Sequence, residues 1–201
     1  YFSGIVAFEN KDNSRALQFL SSSKILLNKH NPYLKNYVYS LVLEDKVSQA
    51  INVVKRNLDK ENSDFLEAHL LLILDSLKKG QFDKAYDYSI KAINSPTNDR
   101  FNSAIIKILK QYIYVFKEKK FLKNKEDFGK LSNISETFQK CYLADKNTDL
   151  YFNNLISDSE GDYSRYYFFY ISYLVENNRL AEARKLFDNI EYINSTLLLS
   201  Q

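Results

Sequence analysis

The stretch Gly80-Gln81-Phe82-Asp83-Lys84-Ala85-Tyr86-Asp87-Tyr88-Ser89-Ile90-Lys91-Ala92 decides the fold of this chain. Ala85, Tyr88, Ser89 and Ala92 recur at intervals of three and four, which puts small and aromatic side chains on one face of a helix. Residues 65–77, just before it, are apolar enough for a second helix, and Lys78-Lys79-Gly80-Gln81 between them reads as a turn. The unit is helix, turn, helix. A turn this short brings the helices back antiparallel, with the alanine where they cross, because a larger side chain there would push their axes apart.

The same unit returns on both sides. Ala16 lies in Asp12-Asn13-Ser14-Arg15-Ala16-Leu17-Gln18-Phe19-Leu20, and Ala50 in Lys46-Val47-Ser48-Gln49-Ala50-Ile51-Asn52-Val53-Val54. The alanines at 16, 50 and 85 are separated by 34 and 35 residues, and a further copy centres on Ala183 in Leu180-Ala181-Glu182-Ala183-Arg184-Lys185-Leu186-Phe187. A period of this length marks stacked helix pairs. Apolar first helices are predicted over 33–43, 65–77 and 166–175, the last of them as a buried helix.

This pattern resembles the tetratricopeptide repeat family. The resemblance rests on Gly80, Phe82, Ala85, Tyr88 and Ala92, with Pro96 after them, and on Ala16, Ala50, Ala183 and Phe187 in the other copies. Gly4, twelve residues before Ala16, occupies a position where the family has a small residue. The resemblance implies that the glycine makes the turn, that the aromatic and first alanine pack the pair, and that the second alanine and the proline set up the next repeat. It implies an all-α fold, an α-solenoid of antiparallel helix pairs wound as a right-handed superhelix, formed as one domain over 1–201. The expected repeats are 1–30, 31–62, 63–97, an enlarged or irregular 98–160, and 161–193, with 194–201 starting another. Within 98–160, a long first helix over 100–119 is expected to turn Ala104, Ile105, Ile108, Leu109, Tyr112 and Phe116 inward, followed by helices over 134–143 and 149–156 and a loop at 158–162. Beginning at Tyr1 in the middle of a repeat, the sequence is expected to be a fragment of a longer protein.

Composition agrees with helices. The 201 residues are 45% hydrophobic and 26% charged, with 4 Gly and 2 Pro, which excludes collagen-like chains and turn-dense β-sandwiches. One Cys makes no internal disulfide, and with two His it falls short of the four ligands of a structural zinc. The longest apolar run, 166–175, is far short of the roughly 20 residues that cross a bilayer, so no membrane span is expected. Lacking disulfides, the chain fits the cytoplasm, and repeat scaffolds of this kind also work in a bacterial periplasm.

Net charge is +3, but residues 100–130 hold nine basic and three acidic side chains, a local +6. A run of this sort is usually a solvated face. Catalytic constellations are not found. Residues 158–162 lack the spacing of a calcium loop, and Gly129-Lys130 lacks the flanking residues of a phosphate loop. His69 is expected to be packed or groove-facing, His30 to lie in an inter-repeat turn, and Cys141 to act as a small buried hydrophobe. No catalytic residue, cofactor or metal is expected.

What remains is recognition by a surface. In stacked helix pairs the first helices line the concave side. In the register of the resemblance Lys35, Tyr39, Leu74, Lys78, Lys110 and Tyr114 point into that groove, and their tyrosine and lysine character suits an extended peptide or an acidic segment. A non-catalytic scaffold for a protein or peptide partner is therefore the expected function. The runners-up are nucleic-acid binding through the basic 100–130 stretch and self-assembly through the apolar 163–175 helix.

Overall fold

The computed structural model describes residues 1–58, 64–95, 99–123, 125–157 and 164–188. Pro96, the loop expected at 158–162 and the helix start expected at 194–201 lie outside these residues. The described residues form eleven α-helices, one 3-10 helix and no strand: α1 Phe2–Glu9, α2 Asn13–Ser22, the 3-10 helix Lys24–Asn28, α3 Asn31–Leu43, α4 Val47–Arg56, α5 Leu66–Lys78, α6 Phe82–Ile93, α7 Arg100–Glu118, α8 Lys130–Tyr142, α9 Thr148–Ile156, α10 Ser164–Glu176 and α11 Leu180–Asp188. The protein is all-α. It divides into two compact units, residues 1–117 and 118–201, so that the boundary falls within the expected 98–160 repeat.

One backbone device closes five of the pairs. Lys11, Asp45, Gly80, Ala144 and Asn178 all take positive φ, between 50° and 67°. In each case the next residue donates its N–H five residues back, as in Asp12 to Ala7 at 2.9 Å, Lys46 to Leu41 at 2.8 Å, Gln81 to Ser76 at 2.9 Å, Asp145 to Lys140 at 3.0 Å and Arg179 to Leu174 at 2.9 Å. This left-handed closure satisfies carbonyls that the helix end would otherwise leave unpaired. The left-handed residues are spaced 34, 35, 64 and 34 apart.

The next helix starts two residues after the left-handed residue in α2, α4, α6 and α11, and its fourth residue is Ala16, Ala50, Ala85 or Ala183. Three of these alanines are fully buried and Ala183 is 4% exposed. In α9 the helix starts four residues after Ala144, and its fourth residue is Tyr151. The expected 98–160 region thus holds three helices, α7 by itself and α8–α9 closed by the same turn.

In unit 1 consecutive helices α1 to α6 pack on one another. Gly4 lets α1 approach α2, since a Cβ there would meet Leu20. Leu20, Tyr33, Leu34, Val38, Ala50, Val54 and Leu72 form one core with essentially no exposure, and Tyr33 O–H donates to the Leu20 carbonyl, so its buried hydroxyl is not left unsatisfied. A second core joins Ile73 of α5, Ala85 and Ala92 of α6, and Ile106 and Ile113 of α7. The inward face of α7 is therefore corrected. Leu109 packs inward as expected, but Ile106 and Ile113 carry the contact with α5 and α6. Gln111 and Val115 are buried as well, and Leu109, Ala104, Ile105, Ile108, Tyr112 and Phe116 are half-buried.

In unit 2 the core is Phe152, Tyr170, Leu174 and Ala183, with Phe138, Cys141 and Leu186 packed on it. Phe187 is 57% exposed and leaves that packing to Leu186. Asp149 ties α9 to α10 and to the α10–α11 turn: its Oδ1 accepts from Tyr170 Oη at 2.9 Å, and its Oδ1 and Oδ2 accept from Arg179 Nη1 at 2.9 and 2.8 Å. The expectation of a buried helix over 166–175 is corrected as well. Tyr170 and Leu174 are buried, but Phe168, Phe169 and Val175 are exposed, because α9 and α11 cover only one stripe of α10.

Candidate functional site

The first helices of unit 1 are linked side chain to side chain. Phe8 of α1 stacks on Tyr39 of α3, with ring centroids 6.2 Å apart and an interplanar angle of 16°. Tyr39 O–H in turn donates to Glu67 Oε1 of α5. Lys35, one turn before Tyr39, places Nζ 3.8 Å from Glu67 Oε2, 5.4 Å from the Tyr39 ring centroid and 6.0 Å from that of Phe65. Burial, and then the bond to Glu67, push the Tyr39 phenol well above its ordinary pKa. It stays a neutral donor at physiological pH.

Helical periodicity extends this surface. Leu74 and Lys78 stand seven and eleven residues after Glu67, on the same stripe of α5, and Leu43 stands four after Tyr39 on α3. All three are exposed. The result is an apolar strip of Phe8, Tyr39, Leu43 and Leu74 carrying Lys35 and Glu67 at one end and Lys78 at the other. With a rise of 1.5 Å per residue, Lys78 lies roughly 16 Å along α5 from Glu67.

Lys110 and Tyr114 are placed differently. Lys110 Nζ lies 5.1 Å from the ring centroid of Tyr86 on α6, a second helix, and Tyr114 is half-buried on α7. Phe8 and Glu67, which sequence reasoning passed over, complete the strip. Glu67 could have been found seven residues before Leu74 on the same helical face; Phe8 carried no signal beyond its spacing from Gly4.

The residues that packing was expected to use are placed as follows. Ala16, Ala50, Ala85, Ala92, Ala183 and Gly4 are buried, Phe82 and Tyr88 are half-buried against the α5–α6 core, and Gly80 forms the left-handed turn at φ 67°.

The remaining polar candidates are tied into the fold. His69 is 7% exposed, with Nε2 2.7 Å from Asp64 Oδ1 just before α5. His30 precedes α3 and lies edge-on to Tyr1 at 4.8 Å. Cys141 is half-buried beside the unit 2 core, where burial, and then the charge of Glu176, raise its thiol pKa and disfavour the thiolate. Among the described residues no group of three or more His, Cys, Asp or Glu side chains could hold a metal ion, and no helix is long and apolar enough to cross a membrane.

Several lysines of the basic stretch have intramolecular partners. Lys117 meets Asp83 at 2.5 Å and Lys125 meets Glu136 at 2.7 Å, while Lys110 and Lys119 cover the rings of Tyr86 and Tyr142. The stretch also crosses the boundary between the two units. No family model, curated protein or solved structure matches the chain.

Proposed function

We propose that this chain is a non-catalytic interaction scaffold of the tetratricopeptide-repeat kind, whose antiparallel helix pairs stack as a solenoid and whose first helices receive a peptide segment of a protein partner. The observation that carries this reading is the line Phe8–Tyr39–Glu67, which joins α1, α3 and α5 on one side while the alanines of the second helices are buried. A side lined by first helices, with aromatic rings held flat by neighbours, offers contact area at little cost in side-chain entropy.

The partner chemistry follows from charge and length. Lys35 and Lys78 are exposed at the two ends of a strip whose middle is apolar at Leu43 and Leu74. An extended chain advances about 3.3 Å per residue, so the roughly 16 Å between the ends corresponds to about five residues. The best-fitting ligand is an extended segment with apolar side chains between two acidic residues about five apart. Lys117 and Lys125 of residues 100–130 are already paired with Asp83 and Glu136, which leaves fewer of that stretch's charges for the phosphates of a nucleic acid.

A peptide array that varies the spacing of two glutamates around an apolar centre tests it. Binding should peak near the five-residue spacing, resist nuclease, and weaken roughly tenfold in Lys78→Glu. Binding independent of spacing and of Lys78, or retention that nuclease abolishes, would overturn it.

A further inference from the structure

Unit 2 opens with a non-helical segment, residues 119–123 and Lys125, that lies against α8 and α9 through three charged or aromatic contacts. Phe121 covers the ammonium of Lys140, whose Nζ is 4.7 Å from the Phe121 ring centroid, 4.5 Å from that of Tyr151, and 3.6 Å from Asp145 Oδ1. Lys140 is only 8% exposed, so Phe121 and Tyr151 enclose a charge that water scarcely reaches. Lys125 Nζ sits 2.7 Å from Glu136 Oε2, a carboxylate that Tyr151 also hydrogen-bonds. Lys119 Nζ lies 4.5 Å from the Tyr142 ring centroid and donates to its hydroxyl.

The core of the unit is instead made of buried rings such as Phe152 on Tyr170 at 4.9 Å. The segment's own apolar residues, Phe121 and Leu122, are half-buried, and Lys119 and Lys120 are exposed. The Lys140 contact is shielded from water, but the Lys119–Tyr142 and Lys125–Glu136 contacts are open or partly open to solvent and individually weak. An element held in this way opens at lower free energy than the helices beneath it.

We infer that the surface formed by Glu136, Lys140, Tyr142, Asp145 and Tyr151 is a second binding site, for a segment bearing Lys-x-Phe-x-x-x-Lys, and that residues 119–123 together with Lys125 occupy it in cis as a displaceable strap. Each half of the motif meets its chemical complement: a carboxylate and a phenol for the two lysines, an ammonium for the phenylalanine. A short tether gives the strap an effective concentration on the order of millimolar, so a competing segment at micromolar concentration is excluded until the strap is weakened. This site lies within unit 2 and does not depend on the strip proposed for unit 1.

The test uses the full chain and a labelled peptide with the sequence of residues 118–126. Fluorescence anisotropy should show Phe121→Ala/Lys125→Ala binding the peptide roughly tenfold more tightly than wild type, and Glu136→Gln added to that variant should remove most of the gain. Equal binding by wild type and a variant that circular dichroism shows to be folded would overturn the proposal. If the variant does not fold, amide exchange of the wild-type chain decides. Amides of 119–123 should exchange roughly 100-fold faster than those of 138–141, because the strap opens while α8 stays formed; exchange of both at one rate would overturn the proposal.

Discussion

Gly4 of α1 and Leu20 of α2 are in contact closer than any alanine would permit: a Cβ on residue 4 would lie 2.9 Å from Leu20 Cγ and 3.1 Å from Leu20 Cδ2. Leu20 has no exposure and shares its core with Tyr33 and Leu34, so it has no free space to move into. Gly4→Ala gains about 1 kcal/mol of helix propensity but overpacks this contact by about 1–3 kcal/mol. The expected net loss is about 1 kcal/mol in urea unfolding; a stabilised variant would show that α1 and α2 have slack between them.

The left-handed turns can be read against one another. Gly80 has φ 67° and open space around it, so Gly80→Ala is opposed by backbone strain alone and should lose about 1 kcal/mol. Ala144 has φ 50° in the equivalent turn, and Ala144→Gly should gain about 0.5–1 kcal/mol. Shifts of the urea midpoint in opposite directions would bear this out. Equal signs would mean that the turns are not equivalent.

On α7, Ile106 and Ile113 join the core with α5 and α6, one fully buried and the other 2% exposed, and Val115 is fully buried as well. Truncating either to alanine should cost about 2–5 kcal/mol. Ile108→Ala, on the half-buried side, should cost less than half as much. Thermal unfolding of the three variants ranks them, and Ile108 ranking first would reverse the orientation assigned to α7.

Tyr39→Phe keeps the ring on Phe8 but leaves Glu67 Oε1 without its donor. The expected loss is about 1–2 kcal/mol, moderated by the partial exposure of the pair. Glu67→Gln in addition should recover part of it, because the neutral amide tolerates the missing partner better. A double variant no better than the single one would show that the hydrogen bond contributes little.

Asp75 accepts from Lys55 at 2.7 Å and lies 2.6 Å from Lys79, and these two hydrogen bonds, first Lys55 and then Lys79, hold its carboxyl below the ordinary carboxylate range. The folded state then binds fewer protons than the unfolded state. The stabilisation is fully present above the unfolded pKa, near the ordinary 3.8, and is lost as pH falls below it through the depressed folded value. Unfolding free energy measured between about pH 5 and 2 should decline less steeply in Asp75→Asn than in wild type. Parallel profiles would remove Asp75 from the acid-labile set.

Much of the helical organisation was legible because it is written in local spacing. Ala16, Ala50, Ala85 and Ala183 mark second helices without any knowledge of what lies across from them, since helix periodicity and short turns act over a few residues. The α8–α9 pair shares the same turn but was hidden in an apparently irregular region. Tyr151 stands where the others have alanine, and the helix starts two residues later after its turn.

Composition and periodicity alone thus determined that the chain is helical and that α1–α6 and α10–α11 come in pairs. Which face of each helix is covered was decided only by tertiary contacts. Residues 166–175 are apolar nearly all round, so their sequence does not say that Tyr170 and Leu174 are inside and Phe168 outside; the positions of α9 and α11 do. The union of Phe8, Tyr39 and Glu67 likewise depends on side chains from three helices, each more than 25 residues from the next in sequence, being neighbours in space. Burial and hydrogen bonding are properties of the neighbours as much as of the residue, and a one-dimensional pattern does not carry the neighbours across that distance.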